Sequence, residues 1–266
     1  MKYTYQTDGP RGPPAFYWRK NMKHILSCSF GKDSIATALL ALQHGEPLDE
    51  LVYCEVMFSE EISGELPEHN RFIHETAIPY FEQRGIPTRV LRSEKTYLSC
   101  FYHVVTRGKT KGMLSGFPLS GAVQFSGIAS CRRSRHIRRH CPRTRCSTSA
   151  SPQMNQATGT IKARSDFFAG QVHVAEPEAR SMCAAEGLLS PLYDFTKRGG
   201  CWFCPNASIS ELRHLYRYHP ELWQLLLELQ DVPNKPTERF SWRRTFREID
   251  ERFRQEGEQL SFYEER

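Results

Sequence analysis

The chain of 266 residues carries 36 Lys and Arg against 30 Asp and Glu, a formal net charge of +6, with 39% hydrophobic and 12% aromatic residues. Such a length and apolar content suit a soluble globular protein with one large domain, or a core domain with an appendage. No apolar run is long enough to span a bilayer, and the opening "MKYTYQTDGPRGPPAFYW" lacks the apolar stretch of a secretory signal, so the expectation is a cytoplasmic protein without a membrane partner.

Residues 1–20 read as an N-terminal arm, 21–200 as an α/β domain, and 201–266 as a cysteine-bearing knuckle followed by helices. "HILSCSF" (24–30) is a short β-rich run entering a glycine turn. From Asp33 on, Ile35, Ala38, Leu39 and Leu42 fall at i, i+3, i+4 and i+7, the apolar face of a helix that ends at Gly45. "ELVYCEVMF" (50–58) predicts a second strand, nearly continuous in apolar residues as a doubly buried strand should be. "PEHNRFIHETAIPYFEQRG" (67–85) predicts a helix opened by Pro67 and kinked at Pro79, and "TRVLRSEKTY" (88–97) a third strand. Strand, helix, strand, helix, strand predicts a doubly wound parallel sheet whose ligand lies at the carboxyl ends of the strands.

The first of those ends carries "SCSFGKDS", Ser27 to Ser34. A glycine turn running into a helix N-terminus offers unpaired backbone N–H groups to a phosphate, and the helix dipole favours the anion. Ser29 and Ser34 add hydroxyls and Lys32 a point charge, while the glycine spacing excludes a Walker A loop. An ordinary strand-to-helix turn capped by Asp33 is the competing reading.

S-x-G-x-D-S after the first strand resembles the pyrophosphate loop of the adenine-nucleotide alpha-hydrolase-like (PP-loop) ATPases. "SFGKDS" is similar to the form in the phosphoadenosine phosphosulfate (PAPS) reductase-like family. "ISGELPEHNRFI" (62–73), "GFPLSG" (116–121) and "GLLSPLYDFTKRGGCWFCPN" (187–206) resemble further blocks of that family in order and spacing. The resemblance covers residues 24–121 and 176 to about 230. It implies that Ser29, Gly31, Lys32, Asp33 and Ser34 hold the phosphates of ATP or a PAPS-like adenylyl nucleotide, with Mg²⁺ as their counter-ion. Glu65 and His69 become substrate-side candidates, against the plainer reading of surface polar residues at a helix start. The acceptor substrate is not implied.

Cys201 and Cys204 stand at C-x-x-C spacing in "GGCWFCPN", and Ser208 with Glu211 forms a capping box for the helix that follows. Such a pair supplies half of a four-ligand zinc or iron–sulfur ([4Fe-4S]) site. It also suits a redox pair, or two cysteines packed beside Trp202 and Phe203. The flanking glycines and Pro205 favour the metal or cluster. Sulfonucleotide reductases use a cysteine in a mobile C-terminal segment, yet no cysteine follows Cys204, so a nucleotide-activating or sulfur-handling protein is expected in place of a true PAPS reductase.

Residues 122–175 hold nine Lys/Arg and one Asp, a net +8, which leaves the rest of the chain slightly acidic at −2. They show no sustained period, and a coil of this length is out of place inside an α/β domain. "CRRSRHIRRHCPRTRC" (131–146) suggests a nucleic-acid-binding or regulatory role, but the only aromatic residues of the interval are Phe125, Phe167 and Phe168, too few for a stacking surface. A metal site from Cys131, His136, His140, Cys141 and Cys146 would have no standard spacing. Reading one frame away, permitted codons turn Pro142–Gln156 into P-D-T-V-Q-Y-I-G-I-A-A-D-E-P, and 122–131 into C-S-V-Q-R-D-C-K-L. Both strings resemble blocks of the same family, and the second would add two cysteines to Cys201 and Cys204. The expectation is that about 122–175 is an out-of-frame readout between two compensating indels. The coding nucleotides test it: the shifted frame across Pro142–Gln156 must spell that string, and any other spelling removes the idea.

Overall fold

The computed structural model describes residues 23–118, 153–154, 160–162, 173–197, 199–241 and 244–264. The N-terminal arm and the 131–146 segment lie outside the described residues, as do Cys131, Cys141 and Cys146.

Three parallel strands form the central sheet in the order β1 (Ile25–Ser27), β2 (Glu50–Glu55), β3 (Thr88–Arg92). Ile25 pairs with Glu50, and Leu51 with Thr88. Alternation along the strands sorts their side chains. Leu26, Leu51 and Tyr53 enter the main core, while Ile25, Val52 and Leu91 meet on the opposite face. The fold is therefore mixed α/β. Among the described residues β1 lies at one edge of this sheet, with β2 and β3 following it in chain order. β4 (Gln153–Met154), β5 (Thr160–Lys162) and β6 (His173–Ala175) form a separate antiparallel sheet.

The helix after β1, α1 (Lys32–Gln43), buries Ile35, Ala38 and Leu39 as its period requires, but its N-cap is Gly31, and Asp33 sits in the first turn. The second crossover starts at Pro67 as α2 (Pro67–Phe72), widens into a π-turn over Ile73–Ala77 and resumes as α3 (Ile78–Glu82). Pro79 explains the widening. It has no N–H, and its ring would meet the carbonyl four residues back, so the chain ahead of it shifts register, with Ile78 N–H reaching Ile73 O. The third strand is shorter than its sequence suggested. It stops at Arg92, and a Thr96–Ser99 capping box starts α4 (Tyr97–Phe101) where further strand was expected.

α5 (Glu176–Ala185) lies against α1 and adds Ala179 and Cys183 to the core under the sheet. A second core joins Phe58, Leu66, Tyr97, Phe101 and Leu192 to Trp202, Phe203 and the helices α6 (Ile209–Tyr218), α7 (Pro220–Asp231) and α8 (Phe246–Glu264). The Ser208–Glu211 capping box opens α6 as read from the sequence. Trp223 Nε1 donates to Asp250 Oδ1 at 2.8 Å, and the buried Lys235 ammonium caps the end of α7 by donating to Gln230 O at 2.7 Å.

One backbone contact positions the C-terminal part on the sheet. Gly64, in the loop after β2, donates to Val56 O (2.7 Å) and accepts from Trp202 N (3.0 Å), while Trp202 Nε1 donates to Ser63 O (2.9 Å). A Cβ at Gly64 would stand 2.7 Å from Val56 O and 3.1 Å from the Phe203 ring. Gly64→Ala is therefore expected to cost about 1–3 kcal/mol of stability through overpacking, read as a lower urea midpoint with an unchanged m-value.

Candidate functional site

The turn between β1 and α1 runs from Cys28 to Gly31. Phe30 is fully buried with φ at +55°, a left-handed conformation that a bulky residue holds only under constraint. The bend lets the chain enter α1 with its first amides unpaired, as at any helix start. Among the described residues the N–H groups of Ser29, Phe30, Gly31, Asp33 and Ser34 have no hydrogen-bond acceptor, whereas Lys32 N–H donates to the Tyr193 hydroxyl at 2.8 Å. The Ser34 hydroxyl donates to Gly31 O at 2.9 Å and lies 3.4 Å from the Ser29 hydroxyl. Four of the five sequence-predicted loop residues, Ser29, Gly31, Lys32 and Ser34, thus surround the turn, and Asp33 Oδ1 faces the Lys32 ammonium at 3.5 Å.

Lys32 is not a free point charge. Its ammonium is 3.0 Å from Glu176 Oε1, at the first turn of α5, and 5.2 Å from the centre of the Tyr193 ring. Burial raises the Tyr193 phenol to about 12, against the opposing hydrogen bond from Lys32 N–H, so the hydroxyl stays neutral. Beside the turn opens a cleft of ≈ 440 Å³ lined by Lys32, Glu176, Arg180, Tyr193 and Lys197 among others. Three of these are cations. Sequence reading missed Glu176, Arg180, Tyr193 and Lys197, because they lie some 150 positions from the turn in the chain and only the packing of α5 and the Pro191–Asp194 turn on α1 brings them there.

Glu65 and His69 are not the surface residues of a helix start. The His69 side chain is 3% exposed and that of Glu65 14%. The nearest ring nitrogen, Nε2, stands 3.9 Å from Glu65 Oε2, and Nδ1 is 2.8 Å from the Ser190 hydroxyl. Ser190 Oγ also accepts from Leu192 N–H at 3.3 Å, and its hydroxyl can meet either tautomer of the ring. The contact with Glu65 has ion-pair distance but not ion-pair charge. Burial pushes His69 down to about 4, opposed by Glu68, and pushes Glu65 up to about 7, with Glu55 acting in the same direction. The cost of dehydrating both charges outweighs their attraction.

Cys201 and Cys204 form the expected knuckle, closed by Cys204 N–H to Cys201 O at 3.0 Å. Burial, then Glu65 and Cys204, hold the Cys201 thiol well above its ordinary range. The structure thus brings Glu65 and Cys201 together at one electrostatic site, apart from the Lys32 cleft. A protonated thiol in that setting is a poor nucleophile, and a bound cation would be needed to ionise it. Among the described residues no third His, Cys, Asp or Glu donor stands with these two thiols.

The chain matches no protein-family model, no curated protein and no solved structure.

A different ligand-like set does assemble: Glu68, His214 and His219, with all three donor atoms within 4.8 Å of one another. The sequence hid it. Residues 214 and 219 are five apart, a spacing that on a continuous helix puts side chains on different faces. The helix stops at Tyr218, and His219, with φ −135° and ψ 60°, turns back toward His214.

The neutral pair gives a pH signature. His69 has a folded pKa below its unfolded 6.5, so its contribution is complete above about 6.5 and is lost as pH falls toward about 4. Glu65, raised from 4.5 to about 7, acts in the opposite sense, losing stability as pH rises between those values. His69→Gln is expected to remove up to about 3 kcal/mol of the stability loss between neutral pH and pH 4, measured as urea midpoints against pH. An unchanged pH profile would mean that the ring is already hydrated.

Proposed function

We propose that the protein binds the phosphates of an adenylyl nucleotide, ATP or a PAPS-like compound, at the Ser29–Ser34 turn, as a PP-loop protein of the PAPS reductase-like type. On this reading the described strands are one wing of a doubly wound sheet, and the chain is a nucleotide-dependent, group-activating or sulfur-handling protein. The observation that carries it is the turn itself. Five acceptor-less amides and two hydroxyls stand at the carboxyl end of a parallel strand, next to a cleft of ≈ 440 Å³ with Lys32, Arg180 and Lys197 in its wall. That volume lies within the range of small-ligand sites, and backbone amides with guanidinium and ammonium groups are the donors that phosphate oxygens take.

The residues divide the work. The turn amides and the Ser29 hydroxyl hydrogen-bond phosphate oxygens, and the Ser34 hydroxyl joins them by exchanging its Gly31 O acceptor for a phosphate. Lys32 neutralises their charge by exchanging its Glu176 partner for the phosphate, and Arg180 offers a guanidinium from the facing helix. Asp33 holds the Lys32 ammonium at the turn and would offer a carboxylate to a Mg²⁺ counter-ion on the phosphates. Glu65, neutral for much of its range, stands ready to give or take a proton on the knuckle side.

Titration calorimetry with ATP and with PAPS tests the reading. Lys32→Ala and Asp33→Ala are each expected to weaken binding by about 10–100-fold, the value of one charged hydrogen bond. Glu176→Gln, which frees the Lys32 ammonium, is expected to tighten it. Nucleotide binding that is absent, or indifferent to Lys32→Ala, overturns the proposal. Salt-dependent binding of DNA or RNA that is lost on deleting 131–146 would instead support the nucleic-acid alternative.

A further inference from the structure

We propose that Glu68, His214 and His219 bind one divalent transition-metal ion of the zinc type, at the junction of α2 with α6 and α7. Glu68 Oε1 lies 2.8 Å from His214 Nε2, and Glu68 Oε2 lies 3.0 Å from His219 Nε2. Ligands bonded at about 2.0–2.1 Å in a tetrahedron stand roughly 3.3 Å apart, so each pair has only a few tenths of an ångström to open. Two imidazoles and one carboxylate are a borderline-soft donor set. It suits zinc, cobalt or iron and not calcium or magnesium, which take oxygen shells.

A hydrogen-bonded clasp without metal would also hold these residues together, and two details speak against that being the whole account. His219 Nε2 is buried and makes no hydrogen bond among the described residues, although Glu68 Oε2 is 3.0 Å away. The carboxylate oxygen is off the axis along which the ring nitrogen donates, and a buried ring nitrogen left unpaired costs free energy that a metal bond on that axis would offset. The His214 ring is also held in place. Phe195 stacks on His214 with centroids 3.5 Å apart and planes 3° off parallel, and the second nitrogen of His219 lies 3.7 Å from Glu221 Oε1. At that distance Glu221 makes no hydrogen bond to the ring and acts on it only through its charge.

The site is a three-ligand site with an open position. The side chains of Glu68, His214 and His219 are 23%, 17% and 13% exposed, enough for an ion to enter and for water or a ligand atom to complete the shell. Bound there, the metal ties the first turn of α2, which continues from Glu65 into His69, to the C-terminal helices. It also fixes Phe195, whose ring separates His214 from the Lys32 cleft. The site is independent of the cysteine knuckle and of the nucleotide reading.

The test uses the full chain carrying Cys201→Ser and Cys204→Ser, stripped with chelator and titrated with Zn²⁺ and with Co²⁺. The expected result is one equivalent of tight metal, a rise in Tm with Zn²⁺, and a visible Co²⁺ spectrum without a thiolate charge-transfer band. His214→Gln and His219→Gln should each weaken Co²⁺ binding by tenfold or more. Should those variants fail to fold, X-ray absorption of the Zn²⁺-loaded parent decides, since two imidazole ligands support the site and a shell without them overturns it. No metal uptake by the parent, or equal uptake by a folded His214→Gln/His219→Gln variant, also overturns it.

Discussion

The close approach of the Gly64 backbone to Trp202 and Phe203 is the contact on which the remaining geometry rests. A loop at the carboxyl end of β2 and a knuckle near residue 201 share a backbone hydrogen bond and an indole-to-carbonyl bond, with no room for a side chain between them. The pairing lays the whole C-terminal part against the sheet end. From it follow the burial of Glu65, the meeting of Glu65 with Cys201, and the stacking of Phe58 and Tyr97 on the knuckle aromatics. A second tie, Lys32 N–H to the Tyr193 hydroxyl, does the same for the first strand end, joining the turn to the segment just before the knuckle. Both candidate sites lie where the C-terminal part closes over strand ends, as ligands of parallel sheets do.

The buried charges of the two regions are handled in opposite ways. At the turn, the Lys32 ammonium is surrounded by Asp33 and Glu176, an arrangement that balances charge while leaving the ammonium able to change partners. At the knuckle, Glu65, His69 and Cys201 all move toward their neutral forms, because dehydration is the largest influence on each and no full counter-charge stands near. A region of neutral acids, bases and thiols is suited to proton movement or to a cation that would ionise them. A region of paired charge is suited to an anion.

Periodicity and local chemistry made much of the α/β framework legible. The apolar spacing at Ile35, Ala38 and Leu39, the Pro67 helix start and the Ser208–Glu211 box each correspond to what the structure holds, because each is set by neighbours within a turn or two. Errors came where local signals competed. "TRVLRSEKTY" reads as continuous strand until the Thr96–Ser99 capping box offers α4 a better start, and Asp33 looks like a cap until the extended backbone at Gly31 takes that place.

By itself the sequence determined the strand–turn–helix at Ser29–Ser34, the parallel framework around it and the C-x-x-C turn, all short-range consequences of residue type and spacing. Only the tertiary structure decided that Lys32 is paired with Glu176, that Glu65 and His69 are buried and pushed toward their neutral forms, and that Glu68 meets His214 and His219. Each of those outcomes joins segments far apart in the chain. Burial and charge pairing between such segments depend on which surfaces close together, and no local pattern encodes that.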